Sequence, residues 1–418
     1  MKNTMLSLLI LVFAAGFVSA QSSSDSAGLT AQEIKDRLDG VADNLTTLNS
    51  DVNALKALKV SGYLQFRYEY NDSSRSTDTL IKGGPVNRNS NNFYIRRGRI
   101  KFTFQPGQTS KYVIYFDASK NTVSLKEAYV ELAHRYKNQA FALTAGQFNI
   151  PFGYEIEYSS SKRDFPERSL AENNLFKGER DRGVNLTYTA PKYLQANIGV
   201  LQGYGIDNAT FTWFDPTKQK DVVARAKAKL GKFDLGLSGY WGKTYTPSVA
   251  AVAGSSSWYD ANGNKQIDSN EVTTTAPKAA VAGFESDKDR YGIDGQAYLD
   301  FLPIGGTGVR GEYFKARDYN KDAKAVVHEQ GWYLWLSQNI GKKFGAAVRY
   351  DYWDPNTRSN QNDATGTWSF AGHYFYDGNV RITAAYDIPN KLKGNSTFSK
   401  YSGDVKDNRY TLQFQFVI

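Results

Sequence analysis

Residues 96–104, RRGRIKFTF, alternate in character. Ile100, Phe102 and Phe104 fall on one side of an extended chain, with Arg97, Arg99, Lys101 and Thr103 on the other. Alternation of this kind begins at Val60 and runs to the end. It predicts strands at 60–70, 93–104, 111–118, 123–132, 140–149, 183–189, 193–201, 221–230, 232–241, 290–302, 308–315, 331–340, 344–353, 367–376, 379–388 and 409–418. Most approach the ~10 residues that a tilted strand needs to cross a bilayer. The connections alternate as well. Long ones fall at 71–92, 150–182, 202–220, 242–289, 316–330, 354–366 and 389–408, and tight ones such as LG, GKK and DGN lie between. Only 119–122 is short where length was allowed.

Long loops on one side and turns on the other, around an even number of strands, predict an all-β fold. It is a sixteen-stranded antiparallel transmembrane β-barrel in the outer membrane of a Gram-negative bacterium. The apolar row then faces lipid and the charged row faces a water-filled lumen. A soluble β-sandwich or β-solenoid is the alternative. The last strand speaks against it, because Tyr410, Leu412, Phe414, Phe416 and Ile418 alternate with Arg409, Thr411, Gln413, Gln415 and Val417. Such a terminal strand is similar to the insertion signal of bacterial outer-membrane proteins, with Ile418 where Phe is usual.

A different period precedes the strands. Ile34, Leu38, Val41, Leu45, Leu48, Val52 and Leu55 form a heptad seam within 29–58, and Thr30 and Glu33 have capping-box spacing. This predicts a helix that either lies on another surface or joins identical chains as a short coiled coil. Before it, Lys2, the apolar run Leu6 to Val18 and the exit VSA compose a secretory signal peptide, too short for a membrane anchor. The expected division is a signal peptide at 1–20, a periplasmic helical segment at 21–58 and the barrel at 59–418.

Composition adjusts this picture in three places. Tyr (28), Phe (24) and Gly (36) are abundant, as β-structure favours for the aromatics, and there is no Cys and so no disulfide framework. The mean hydropathy of −0.52 suits a barrel in which only alternate residues meet lipid. The formal charge of +9 becomes +8 without Lys2, a basic excess compatible with an anion pathway but not sufficient for one.

Parity assigns Arg67, Arg97, Arg99, Lys101, Arg225, Lys227, Lys229, Arg290, Arg310, Arg349, Arg381 and Arg409 to the lumen. It also assigns Glu69, Asp117, Glu127, Glu131, Asp234, Asp294, Asp300, Glu312, Asp351 and Asp387 there. The totals nearly balance. Clustering distinguishes two basic ladders, Arg97–Arg99–Lys101 and Arg225–Lys227–Lys229, whose rungs would draw anions along the pore or else serve only as solvated wall.

The segments NFYIRRGRIKF (92–102), AGQFNIPFGYEIEYSS (145–160), ERSLAENNLFKGERDRGVNL (167–186) and GHYFYDGNVRITAAY (372–386) resemble the phosphate-selective porin O and P family. The resemblance implies a trimeric barrel conducting small anionic solutes, with a third outside loop folded inward. By position, that loop is 150–182, carrying Lys162, Arg163, Arg168, Lys177, Arg180 and Arg182 as constriction candidates. Glu155, Glu157, Asp164, Glu167, Glu172, Glu179 and Asp181 share it and depart from a simple positive constriction. A structural or adhesive barrel without solute selectivity is the alternative function.

Other signals are separate. DANGNKQIDSNE (260–271) places Asp260, Asn262, Asn264, Gln266, Asp268 and Glu271 at positions 1, 3, 5, 7, 9 and 12 of a calcium loop, with Lys265 where Gly is usual. A structural Ca²⁺ in the 242–289 loop is therefore expected, and no other cofactor is required. GTGVRG (306–311) matches a dinucleotide fingerprint but precedes a strand, so no helix N-terminus awaits a phosphate. His134, His328 and His373 form no triad or metal spacing. Neither an enzyme nor a nucleic-acid partner is expected, and the partners are outer-membrane lipid, like chains and small solutes.

Overall fold

A computed structural model describes residues 31–71, 90–119, 122–176, 178–190, 193–206, 215–259, 263, 265–267, 272–320, 325–358, 364–391 and 408–418. The first unit is helix α1 (Ala31–Ala57). Glu33 in its first turn and Lys56 in its last complement the helix dipole. Its seam residues Leu38, Val41, Leu45, Leu48 and Leu55 are all exposed. Thr30, the expected cap, lies outside the described residues. No described helix is long and apolar enough to cross a membrane.

The second unit is a closed antiparallel barrel of sixteen strands. Its first half comprises β1 (Leu58–Asn71), β2 (Ser90–Phe104), β3 (Ser110–Ser119), β4 (Thr122–Tyr136), β5 (Gln139–Asn149), β6 (Arg180–Thr189), β7 (Leu194–Leu201) and β8 (Asp221–Leu230). Then come β9 (Phe233–Thr246) and a separate hairpin, β10 (Ser255–Trp258) with β11 (Val272–Thr275), that stands in the longest loop. The barrel resumes with β12 (Phe284–Leu299), β13 (Thr307–Asn320), β14 (Ala325–Ile340), β15 (Phe344–Asp354), β16 (Thr365–Phe375), β17 (Val380–Lys391) and β18 (Arg409–Val417). Closure pairs Tyr63–Asn71 of β1 with Arg409–Val417 of β18, which leaves the barrel without an open edge. In β18, Arg409, Thr411, Gln413 and Gln415 are buried while Tyr410, Leu412, Phe414 and Phe416 are exposed, so the predicted two-faced pattern is present.

The structure departs from the sequence expectation in three ways. Several strands are longer than their apolar cores: β13 reaches Asn320 and β14 starts at Ala325, so most of the expected 316–330 loop is strand. Backbone pairing continues into the polar rim after the lipid-facing side chains end. Asp300, expected inside, lies beyond the end of β12 in an exposed turn near Lys232. Finally, the lumen is not lined by water alone. Phe314, Tyr333, Trp335 and Trp353 project inward and are buried, forming one apolar sector of the wall.

Candidate functional site: the lumen and its inward loop

Residues 150–179 leave the end of β5 and fold into the barrel. The loop contains two short helices, α2 (Tyr154–Glu157) and α3 (Leu170–Leu175). Its apolar residues meet the apolar sector of the wall. Phe152 meets Phe176 in a tilted pair at 4.7 Å and stacks with Phe314 at 6.3 Å, and Phe165 meets the edge of Trp335 at 5.3 Å. Burying Phe152, Ile156, Phe165 and Leu170 supplies roughly 1.5–3 kcal/mol per side chain for holding the loop inside. That number explains why a segment rich in charge does not extend into solvent.

Polar bonds fix its register. The backbone N–H groups of Tyr154 and Glu155 donate to the Glu312 carboxylate, the latter at 2.9 Å. Leu170 N–H donates to Asp351 at 2.7 Å, and Gly153 N–H to the Ser238 hydroxyl at 3.1 Å. Gly153 has φ +60°, and a Cβ there would lie 2.5 Å from Glu312 Oε1 and 3.3 Å from Glu172 Oε1. Glycine is needed on both counts. The loop tip is tied to the closing seam: Ser160 O accepts from Gln65 at 3.0 Å, Ser161 O from Gln415 at 2.8 Å, and Arg163 O from Arg381 at 2.9 Å.

The predicted basic ladders are inside, but their rungs are engaged. Arg67 is fully buried; its Nη1 meets Glu167 at 2.6 Å, and its Nε donates to Gln413. Arg97 donates to Gln65 at 2.9 Å and lies 3.4 Å from Glu167. Arg99 pairs with Asp117 at 2.8 Å and donates to Tyr63 and Ser160. Lys101 pairs with Glu127 at 2.9 Å. In the second ladder, Arg225 meets Asp294 at 3.0 Å and Lys227 meets Glu157 of α2 at 2.7 Å. Lys229 is exposed at the short-turn end of β8. These groups were expected to stand in water. The inward loop instead excludes water from Arg67, Arg97, Arg99 and Arg225, and loop or wall carboxylates compensate their charge.

The loop candidates divide. Lys162 is exposed at the tip, and its ammonium meets no partner among the described residues. Arg163 is buried with Nε and Nη1 lacking an acceptor. Burial, reinforced by the Arg168 charge, pushes it down to about 9. Arg168 pairs with Glu179 at 2.5 Å. Arg180 and Arg182 belong to β6, so the loop ends at Glu179 and not at 182. Arg180 joins Glu127 at 3.0 Å, while Arg182 shares the parity of outward Val184 and Leu186. Lys177 lies outside the described residues. So do Asp260, Asn262, Asn264, Asp268 and Glu271, leaving Gln266 alone of the calcium set. Lys265 has φ +57°, the left-handed conformation that position 6 requires.

Inward basic groups that escaped the parity reading include Arg96 and Lys288. β1 and β2 shift register between Gln65 and Phe66, so Gln65 faces Arg97 and Phe66 faces Ile95. The bulge turns Arg96 inward too, where its Nε meets Glu167 at 2.6 Å. Lys288 lies on the rim extension of β12 and pairs with Asp221 at 2.6 Å.

Between β1–β4 and the loop lies a cavity of about 280 Å³, bordered by Arg99, Lys101, Arg168 and Arg180 against Glu127 and Glu157. A second cavity of about 550 Å³ opens at the short-turn end, bordered by Lys162, Asp164, Tyr298, Arg310 and Arg381. The arrangement offers a solute two charged compartments around a fixed obstruction.

The family model for phosphate-selective porin O and P matches residues 63–418. Solved structures with a similar fold include the outer-membrane channel DcaP of Acinetobacter baumannii (11% identity, TM-score 0.55), covering 86% of this chain and 97% of that one. OmpT of Vibrio cholerae in a trimer form is similar at 10% identity and TM-score 0.53 (86% and 99%), as is an anion-selective porin from Comamonas acidovorans at 11% and 0.53 (86% and 99%). No curated protein sequence matches the chain.

Proposed function

We propose an anion-preferring pore, from the premise that the chain belongs to the phosphate-selective porin O and P family and is an outer-membrane porin, a channel and not an enzyme. The observation that carries the preference is the smaller cavity, where four basic side chains border the space with two carboxylates. Both carboxylates are already bonded, Glu127 to Lys101 and Arg180 and Glu157 to Lys227, so the basic groups outnumber the acids that an entering solute meets. Reversal potentials across a planar bilayer in a KCl gradient test this. The expected sign is that of Cl⁻ preference, weakening as salt rises because screening shortens from about 10 Å at 0.1 M to about 3 Å at 1 M. K⁺ preference would overturn it.

The same reading places 1–20 as a removed signal, 21–58 in the periplasm and 59–418 in the membrane, with the short-turn end of the barrel facing the periplasm. Three copies assemble, supported by the exposed α1 seam and by the trimer form described for the Vibrio protein. Ca²⁺ occupies the 260–271 loop, supported by ligand spacing and the conformation of Lys265. Glu271→Ala removes the expected bidentate ligand. It is expected to make the β10–β11 hairpin as protease-sensitive with calcium as without; equal sensitivity of the unaltered protein in both conditions counts against the site.

A further inference from the structure

We propose that the larger cavity binds a phosphorylated sugar, a solute carrying both an anionic group and several hydroxyls. This rests on the anion-pathway reading and names the solute class for one compartment of it. Three features of the cavity do not suit a bare inorganic anion.

The first is size. About 550 Å³ lies within the roughly 300–1,000 Å³ typical of pockets for organic ligands, and a tetrahedral oxyanion would fill a small part of it. The second is the mixture of charges. Lys162 has no partner among the described residues, and Arg381 has no carboxylate within ion-pair distance there. Arg381 spends its Nη2 on the carbonyls of Ser161 and Arg163 and on Gln415, and its Nε meets no acceptor. Three carboxylates, those of Asp164, Asp300 and Asp377, border the same space, and Asp164 accepts from Arg310 at 3.3 Å and from the Trp335 indole at 3.1 Å. A carboxylate in this position repels a bare anion, yet it accepts hydrogen bonds from hydroxyls. Ser337 and Asn339 on the same wall add further polar groups of the kind that ring hydroxyls use.

The third is the aromatic surface. Arg310 lies over the rings of Trp335, Tyr298 and Tyr158 at 4.9, 5.7 and 5.8 Å. Tyr298 is 40% exposed and borders the cavity, which leaves a ring face for the C–H side of a sugar. The phosphate would lie towards Lys162 and Arg381, and the sugar towards Asp164, Ser337 and Tyr298.

The test uses the full-length protein in a planar bilayer, with glucose 6-phosphate, inorganic phosphate or glucose added on the short-turn side. The reading is the concentration that halves the KCl current. Glucose 6-phosphate is expected to block at about one tenth of the concentration needed for inorganic phosphate, the gain of one hydrogen bond to a charged group. Glucose should block more weakly than its phosphate. Tyr298→Ala should bring glucose 6-phosphate down to the level of phosphate, and Lys162→Gln should weaken both anions but not glucose. Equal or stronger block by inorganic phosphate overturns the proposal, as does a glucose 6-phosphate advantage that survives Tyr298→Ala. Should that variant fail to insert, the ratio for the unaltered protein decides alone. Reversal potentials without either ligand judge the anion pathway separately, so the two readings fail by different measurements.

Discussion

Glu167 holds three guanidinium groups, those of Arg67, Arg96 and Arg97. Burial alone would raise its pKa; Arg96, then Arg67 and Arg97, reverse this and hold the carboxyl well below the usual range. Its contribution to loop docking is therefore complete above its unfolded pKa of about 4.3 and is lost only as pH falls through the lower folded value. Glu167→Gln leaves buried arginines uncompensated and is expected to weaken docking by about 3–5 kcal/mol, read as protease cleavage within 150–179 while the barrel stays intact. Glu172 is the opposite case. It is buried, both carboxyl oxygens lack a partner among the described residues, and burial together with Glu312 and Glu155 raises its pKa well above the usual range. The protonated form is the one that fits, so its contribution is present below about pH 4.3 and lost as pH rises through the raised value. Glu172→Gln should keep the loop docked as pH rises and flatten the alkaline rise in cleavage expected of the unaltered protein.

At the scale of elements, β2 displays both faces of the argument. Phe102 sits in the outward row with exposed Ile100 and Phe104. Phe102→Arg should impair insertion by ~2–4 kcal/mol, measured as the fraction reaching the heat-modifiable folded form. Replacing Arg97, Arg99 and Lys101 together with Gln acts differently. Were the row solvated, the change would be structurally mild; because Glu167, Asp117 and Glu127 depend on it, the loop should loosen while the strand still inserts. The row itself was legible from period-two alternation. Arg96 was not, because a bulge inverts parity at one residue without leaving a mark in composition. Lys288 was missed because its strand outruns its apolar core. Asp117, Glu127 and Asp294 were placed inside by the same parity, but Glu157 and Glu167 come from a loop with no periodicity, so their pairing could not be read from spacing. The inward aromatics of β13–β15 were hidden for a related reason: alternation tells which residues share a face, and here the loop, not lipid, covers that face.

For the whole molecule, the seam of α1 bears on assembly. Leu38, Val41, Leu45, Leu48 and Leu55 are exposed in a single chain, and most of a helix's stability in a protein comes from packing such a face. Deleting 31–57 should lower the temperature at which the proposed trimers dissociate in detergent gels. An unchanged dissociation temperature would leave the barrel surface as the sole source of association. The outline of the molecule, sixteen strands with turns at one end and loops at the other, was legible because crossing lipid imposes a length and a period on every strand.

The seat of the inward loop is built from both ends of the barrel sequence, and this fixes an order in time. Its tip rests on Gln65 from β1 and on Arg381 and Gln415 from β17 and β18, while Arg67 grips Glu167 and Gln413 together. These residues become neighbours only when the first strand meets the last. The loop is made early in the chain, and although its aromatic side chains have a seat on β13 and β14, its tip has no partners until the seam has zipped. Docking of the tip is thus expected to follow closure, with its contacts absent when the ring closes. A weakened loop should then leave the rate of closure unaltered and hasten only the reverse, opening, step. The seated loop acts as a clasp that lengthens the lifetime of a ring it did not help to form.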